Sequence, residues 1–170
     1  MPTVHLQRVT MTRSNLLIPI LCILLLTSCE RTLYHSFHSV EGDWSSNDTI
    51  EFIVPVGTRH IDSCAADLEL RCTAEFPYKV LWMYVEARQG DGSLLLSDTL
   101  DCTIFDDYGR QNGSTVGLLY QTRFPLPALK IAAEDTLRVI VSHLMDAPLA
   151  GVKDVGVRFS DYGRHQPSGN

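Results

Sequence analysis

From residue 49 onward, apolar and polar residues alternate with a period of two over short stretches separated by turn-forming residues, and this pattern restricts the chain to β-structure. Ile50, Phe52, Val54 and Val56 alternate with Thr49, Glu51, Ile53 and Pro55. Successive strand side chains point to opposite faces, so this stretch has one buried and one wet face. Pro55 cannot donate to a ladder and assigns it to an edge or a strand end. Leu68, Leu70 and Cys72 alternate in the same way with Asp67, Glu69 and Arg71. Lys79 to Val85 carries bulk on both faces, as a central strand does. Gln89-Gly90-Asp91-Gly92-Ser93 has hairpin-turn chemistry and returns the chain through Leu96 to Phe105, with Leu100, Cys102 and Ile104 on one side.

A polar, glycine-punctuated loop from Asp106 to Ser114 precedes a strand from Val116 to Phe124, which Pro125 and Pro127 are expected to end. Ala128 to Glu134 has room for a single helical turn. Thr136 to Met145 and Gly151 to Ser160 supply the last strands. Seven or eight short strands without an amphipathic helix predict one antiparallel β-sandwich, immunoglobulin-like or jelly-roll-like. The domain is expected over residues 43–160, after a polar tether at 29–42 and before a flexible tail at 161–170.

The first 28 residues read as a lipoprotein signal peptide. Arg8 and Arg13 make its start positive, no Asp or Glu precedes Glu30, and Leu16 to Leu26 is apolar. That run is signal-peptide length, short of the roughly 18 residues needed to cross a bilayer. Leu26-Thr27-Ser28-Cys29 fits a cleavage and acylation site, so Cys29 is the expected lipidated residue and a membrane the first expected partner. Met11 is an alternative start that retains a sufficient positive region.

All 20 acidic residues but only 12 of the 14 Lys and Arg follow Cys29, giving that part a formal charge of −8. With no cluster of Lys and Arg to neutralise phosphates, nucleic acid is excluded as a partner. Three cysteines remain in the domain, Cys64, Cys72 and Cys102. Cys72 and Cys102 fall on strand alternations, where a thiol acts as a small apolar residue, so buried free thiols are expected. A Cys64–Cys72 disulfide is the alternative, and spacing without a C-x-x-C argues against a metal site.

Candidate chemistry is sparse. Asp106 and Asp107 adjoin on a turn, where Asp is a turn residue, and neighbours do not face each other across a sugar as a glycosidase pair must. Ser142 and His143 adjoin on a strand and point to opposite faces. His35 and His38 read as solvated tether histidines. No catalytic residue, cofactor or metal is expected, though a pocket uniting Asp101, Asp107 and His143 would revive a hydrolase. Of the aromatics, Trp82 is expected in the core, while Trp44 and Tyr78 stay open between core and an exposed surface for a protein or glycan.

Trp44-x-x-x-Asp48-x-Ile50-x-Phe52, Arg71 ahead of Phe76-Pro77-Tyr78-x-x-Leu81-Trp82, Asp98-Thr99-Leu100, Gly109 and Gly113, and Met145-x-x-x-Leu149-x-Gly151-Val152-x-Asp154-Val155-Gly156 occur in an order and spacing that resembles the GldH gliding-motility lipoprotein family. Lys79-Val80 and the three cysteines depart from its pattern. The resemblance implies a Bacteroidota outer-membrane lipoprotein linked to the gliding apparatus and the secretion coupled to it, with other envelope proteins as partners. It implies no enzymatic activity, and a non-enzymatic role is expected. It also gives context to Asp48-Thr49-Ile50, Asp98-Thr99-Leu100 and Asp135-Thr136-Leu137, which are similar to O-glycosylation acceptors in that phylum but are read first as turn-to-strand junctions. Replacing Cys29 by Ala is expected to release folded protein from the membrane fraction; retention there would refute the anchor.

Overall fold

The structure is a computed structural model that describes residues 31–57, 61–132 and 136–161. Cys29, the leader, the tail beyond Asp161 and Asp135 of the third acceptor-like triplet lie outside the described residues. Nine strands run β1 (Arg31–Ser39), β2 (Ile50–Pro55), β3 (Ile61–Cys72), β4 (Val80–Gln89), β5 (Leu94–Thr103), β6 (Ser114–Val116), β7 (Leu119–Ile131), β8 (Thr136–His143) and β9 (Val152–Asp161). They form two antiparallel sheets, ordered β1-β9-β3-β7-β6 and β2-β8-β4-β5, packed as a sandwich.

The alternation read from sequence drives the packing. In β2 the buried residues are Ile50, Phe52 and Val54; in β8 they are Leu137, Val139, Val141 and His143; and in β4 they are Leu81, Met83, Val85 and Ala87. These face Leu68 and Leu70 of β3 and Val155, Val157 and Phe159 of β9, all fully or nearly fully buried. Burying a Val, Leu or Phe side chain contributes about 1.5–3 kcal/mol, so this one layer supplies most of the folding drive.

Four expectations are corrected. The stretch taken as a tether is strand β1, in register with β9 from Arg31 opposite Asp161 to Ser39 opposite Asp154. Its apolar residues, Leu33, Tyr34 and Phe37, do not alternate with a period of two and so do not mark a strand, and its stability comes from neighbours described below. Pro125 and Pro127 do not end a strand, nor does a helical turn follow, because β7 runs through both to Ile131. Beyond Gln121 the short β6 no longer covers β7, so prolines are tolerated along that open edge. The hairpin turn at Gly117-Leu118 splits the expected single strand into β6 and β7, which, with β1, raises the strand count to nine. Trp82 faces outward from β4 and is 47% exposed.

The sandwich has two dissimilar ends. Arg31, Asp161, Cys64 and Ile131 lie together at one end, as the registers of β1, β9, β3 and β7 require. The ends of β2, β4 and β7 and the starts of β3, β5 and β8 lie at this near end. The far end carries the longer β1–β2, β3–β4, β5–β6 and β8–β9 connections, tied by an isolated bridge between Trp44 and Leu149 and by the Thr73 amide donating to the Gly151 carbonyl. Edge strand β5 places Asp98, half-buried, on its inner-face register opposite Val85.

Cys64, Cys72 and Cys102 are free and buried, as expected. Cys64 and Cys72 share strand β3 eight residues apart, about 27 Å at 3.4 Å per residue, far beyond bridging distance. Desolvation raises the Cys64 thiol to about 11 and the Cys72 and Cys102 thiols to about 12. The thiolate is therefore withheld at neutral pH, and all three should resist alkylation at pH 8 until denaturant is added. Fast labelling of any of them in the native protein, read by mass spectrometry, would contradict this packing.

Candidate functional site

The aromatic pair left open by sequence divides. Trp44 is 2% exposed, its indole N–H donates to the Asp48 carbonyl at 3.1 Å, and its ring meets His143 edge-on at 5.0 Å. His143 Nε2 lies 3.1 Å from the Trp44 carbonyl, and its Nδ1 accepts from the Met145 amide at 3.3 Å. An amide donor at Nδ1 leaves Nε2 to carry the proton, so this imidazole links the β1–β2 and β8–β9 connections. Tyr78 is half-buried, edge-on to Phe76 at 5.7 Å. Trp44 is thus a core residue and not an interaction surface, and a glycan platform needing both rings exposed is overturned.

The candidate hydrolase residues stay apart. His143 faces the core, whereas Asp101 is exposed on the outer face of β5. The Asp106 carboxylate accepts from the amides of Tyr108 and Arg110 and from the Arg110 side chain, each at 2.8 Å, which fixes a tight turn. Hydrogen bonds from Arg110, first from its backbone, hold the Asp106 carboxyl below its usual range. Asp107 pairs with Lys79. Among the described residues no group of three His, Cys, Asp or Glu is placed to hold a metal ion.

The densest polar arrangement lies on the outer face of the five-stranded sheet. Glu69 of β3 was expected on a wet face, yet it is 0% exposed. One carboxylate oxygen, Oε2, meets His35 Nε2 of β1 and Gln121 Nε2 of β7, each at 3.0 Å. The other, Oε1, accepts from Arg123 Nε of β7 at 3.0 Å. Arg71 Nε donates to Gln121 Oε1 at 2.9 Å, and its Nη1 stands 3.7 Å from Asp154 of β9. The Arg71 guanidinium also sits 3.6 Å above the centre of the Phe37 ring. Phe37 lies against Gly156, where an added Cβ would come within 2.5 Å of the ring. His35, expected to be solvated, is one arm of this network.

The arrangement ties β1, β9, β3 and β7 together without leaving a reactive group. Glu69 has donors on both oxygens, and no nucleophile is among them. It is a structural centre that fixes the first strand to the sheet. The alternation of Asp67, Glu69 and Arg71 identified the face; that neighbouring strands roof it over depends on pairings between residues about 50 and 85 positions apart in sequence. Removing one partner of a buried, hydrogen-bonded charge network typically costs about 3–5 kcal/mol. Glu69→Ala should therefore lose stability of that order in urea denaturation, with amide protection lost first in β1; a loss below 1 kcal/mol would rule out this role.

Comparison with solved structures returns low overlaps. Dimeric latent PorU from Porphyromonas gingivalis is similar at 11% identity and TM-score 0.36, covering 78% of this chain and 13% of its own. The CBM36-1 domain of a multidomain xylanase from the hindgut metagenome of Trinervitermes trinervoides gives 10% identity and TM-score 0.35 over 75% of this chain and 89% of that one. The VP2 subviral particle of infectious bursal disease virus gives 14% identity and TM-score 0.37 over 82% and 35%. Overlaps this low carry no functional argument. No curated protein matches the chain. The family model of the GldH lipoprotein matches residues 32–159, from the second residue of β1 to near the end of β9. Both sheets and the connections between them fall inside that match, and the chain belongs to the GldH lipoprotein family.

Proposed function

We infer that the protein is a non-enzymatic subunit of the envelope machinery of gliding motility and its coupled secretion, held at the outer membrane through lipid on Cys29. Family membership over residues 32–159 is the observation that carries this reading. The leader and its acylation motif support the anchor, and the acidic balance of the domain favours protein partners over nucleic acid. A periplasmic-facing position fits the single acid in Glu30-Arg31-Thr32 after Cys29. The polar groups of the domain support a scaffold better than a catalyst. Glu69, His143 and Asp106 each have their hydrogen bonds met within the fold, and the thiols are buried and protonated. Catalytic groups characteristically show the reverse, an accessible group with a tuned affinity for protons.

The test is isolation from native membranes after mild chemical crosslinking. A stoichiometric complex with other envelope proteins, lost together with spreading motility when the gene is deleted, is the expected result. A protein recovered as a monomer from crosslinked membranes, with motility and secretion intact after deletion, would refute the reading.

A further inference from the structure

The outer face of the four-stranded sheet differs from the roofed face opposite. Toward the far end Trp82 is 47% and Leu144 52% exposed, while Ile53 at 50% and Leu94 at 51% are the exposed apolar residues toward the near end. The Leu144 amide donates to the Trp82 carbonyl at 2.9 Å, so the two side chains are neighbours beside half-buried Val80 and Tyr84. On the other flank, Asp101 of β5 stands directly opposite Trp82 in register. Side chains so opposed have Cβ atoms about 4.5–5.5 Å apart.

Charge on this face is almost entirely neutralised within the fold. Glu51 pairs with Arg138 at 3.1 Å, Glu86 pairs with Arg88 at 2.6 Å, and the Tyr84 hydroxyl bonds both Glu86 and Ser97 at 3.0 Å. Asp101 differs: its carboxylate has no hydrogen bond or ion pair among the described residues, and neither does the indole N–H of Trp82. An open indole ring beside an unpaired carboxylate forms the two halves of a cation site. A guanidinium stacks on the ring while its fork pairs with the carboxylate, a geometry a compact ammonium fills less well. Glu41, Asp43, Asp48 and Asp146 are also exposed in the far-end connections, so the surroundings attract a basic partner.

Location selects between kinds of occupant. Cys29 and Arg31 are two residues apart, which allows at most about 7.6 Å between their Cα atoms. β1 begins at the near end, so a lipid on Cys29 brings that end to the bilayer. Trp82 lies seven residues back along β4 from Gln89, about 24 Å from the near end. The patch is thus remote from the start of β1, and an acidic patch repels anionic lipid, which favours a protein as its occupant.

We propose that Trp82, Asp101 and Leu144 form a docking site for an exposed arginine on a protein partner, with the arginine stacked on Trp82 and paired to Asp101 and apolar residues beside it packed on Leu144 and Val80. This rests on the reading of the protein as a subunit of an envelope assembly and names the surface that assembly uses.

The experiment places the photo-crosslinker p-benzoylphenylalanine at Thr99, exposed on the same face, or at Leu94 near the opposite end, in the full-length protein within its own membranes. Thr99 should give an adduct whose partner peptide, mapped by mass spectrometry, contains an arginine within a few residues of the crosslink. Asp101→Lys and Trp82→Ala should each reduce that adduct on the order of tenfold, and Trp82→Phe should keep most of it. Unchanged membrane levels and thermal unfolding would show that the variants fold. The proposal is overturned by absence of a Thr99 adduct, by an adduct indifferent to Asp101→Lys, by a partner peptide without a basic residue, or by an adduct with the mass of an oligosaccharide. Recovery of the envelope complex from the Asp101→Lys, Trp82→Ala double variant would also overturn it while leaving the subunit reading intact; failure to recover a complex from the wild-type protein as well would remove both.

Discussion

The carboxylate of Glu69 is the constraint around which the five-stranded sheet closes. A fully buried charge is costly unless every lone pair has a donor, and here the donors come from β1 and from two residues of β7. Arg71 extends the same network from β3 to Asp154 of β9 and covers Phe37 of β1. Four of the five strands in that sheet are thus held from above by polar contacts and from below by the common core. Phe37 fits only because position 156 lacks a side chain, so a glycine and a glutamate on neighbouring strands jointly decide whether the first strand can dock.

This arrangement explains why β1 is a strand at all. Its residues, Arg31 to Ser39, contain few apolar side chains and two histidines, and an isolated peptide of this composition has little reason to be extended. The strand is specified by what it meets: the β9 ladder on one side, Glu69 reaching His35, and the Gly156 surface receiving Phe37. In that respect the N-terminal end of the domain is less a spacer than a clamped lever joining the body to whatever precedes residue 31.

Sequence made the sandwich legible because its core strands obey one rule. Ile50, Phe52 and Val54, or Leu137, Val139 and Val141, announce a buried face without reference to any other residue. Where tertiary context overrides local pattern, the reading failed. Trp82 carries the bulk of a core residue but faces outward on β4, because Leu81 and Met83 take the inner face. Trp44 sits in a connection with no period, yet the Leu149 bridge and His143 bury it. Prolines at 125 and 127 signalled a strand end only because sequence does not reveal where β6 stops covering β7. Cys29 is read from sequence alone and lies outside both the described residues and the family match. Glu69 was legible as a strand residue and illegible as a centre, since its partners come from strands remote in sequence.

The open edges of the two sheets have a consequence for life on a surface. Proteins confined to a membrane meet one another at an effective concentration far above that of the same number of molecules in bulk, and they meet in repeated orientations. Exposed strand edges would then be invitations to join sheet to sheet. Here Pro55 lies at the end of β2, Pro125 and Pro127 interrupt the uncovered length of β7, and β5 turns Asp98 toward its inner face. Each denies an approaching strand a continuous ladder or makes its docking place a charge in an apolar layer. The same molecule can accordingly be crowded in two dimensions and still present its faces, rather than its edges, to its neighbours.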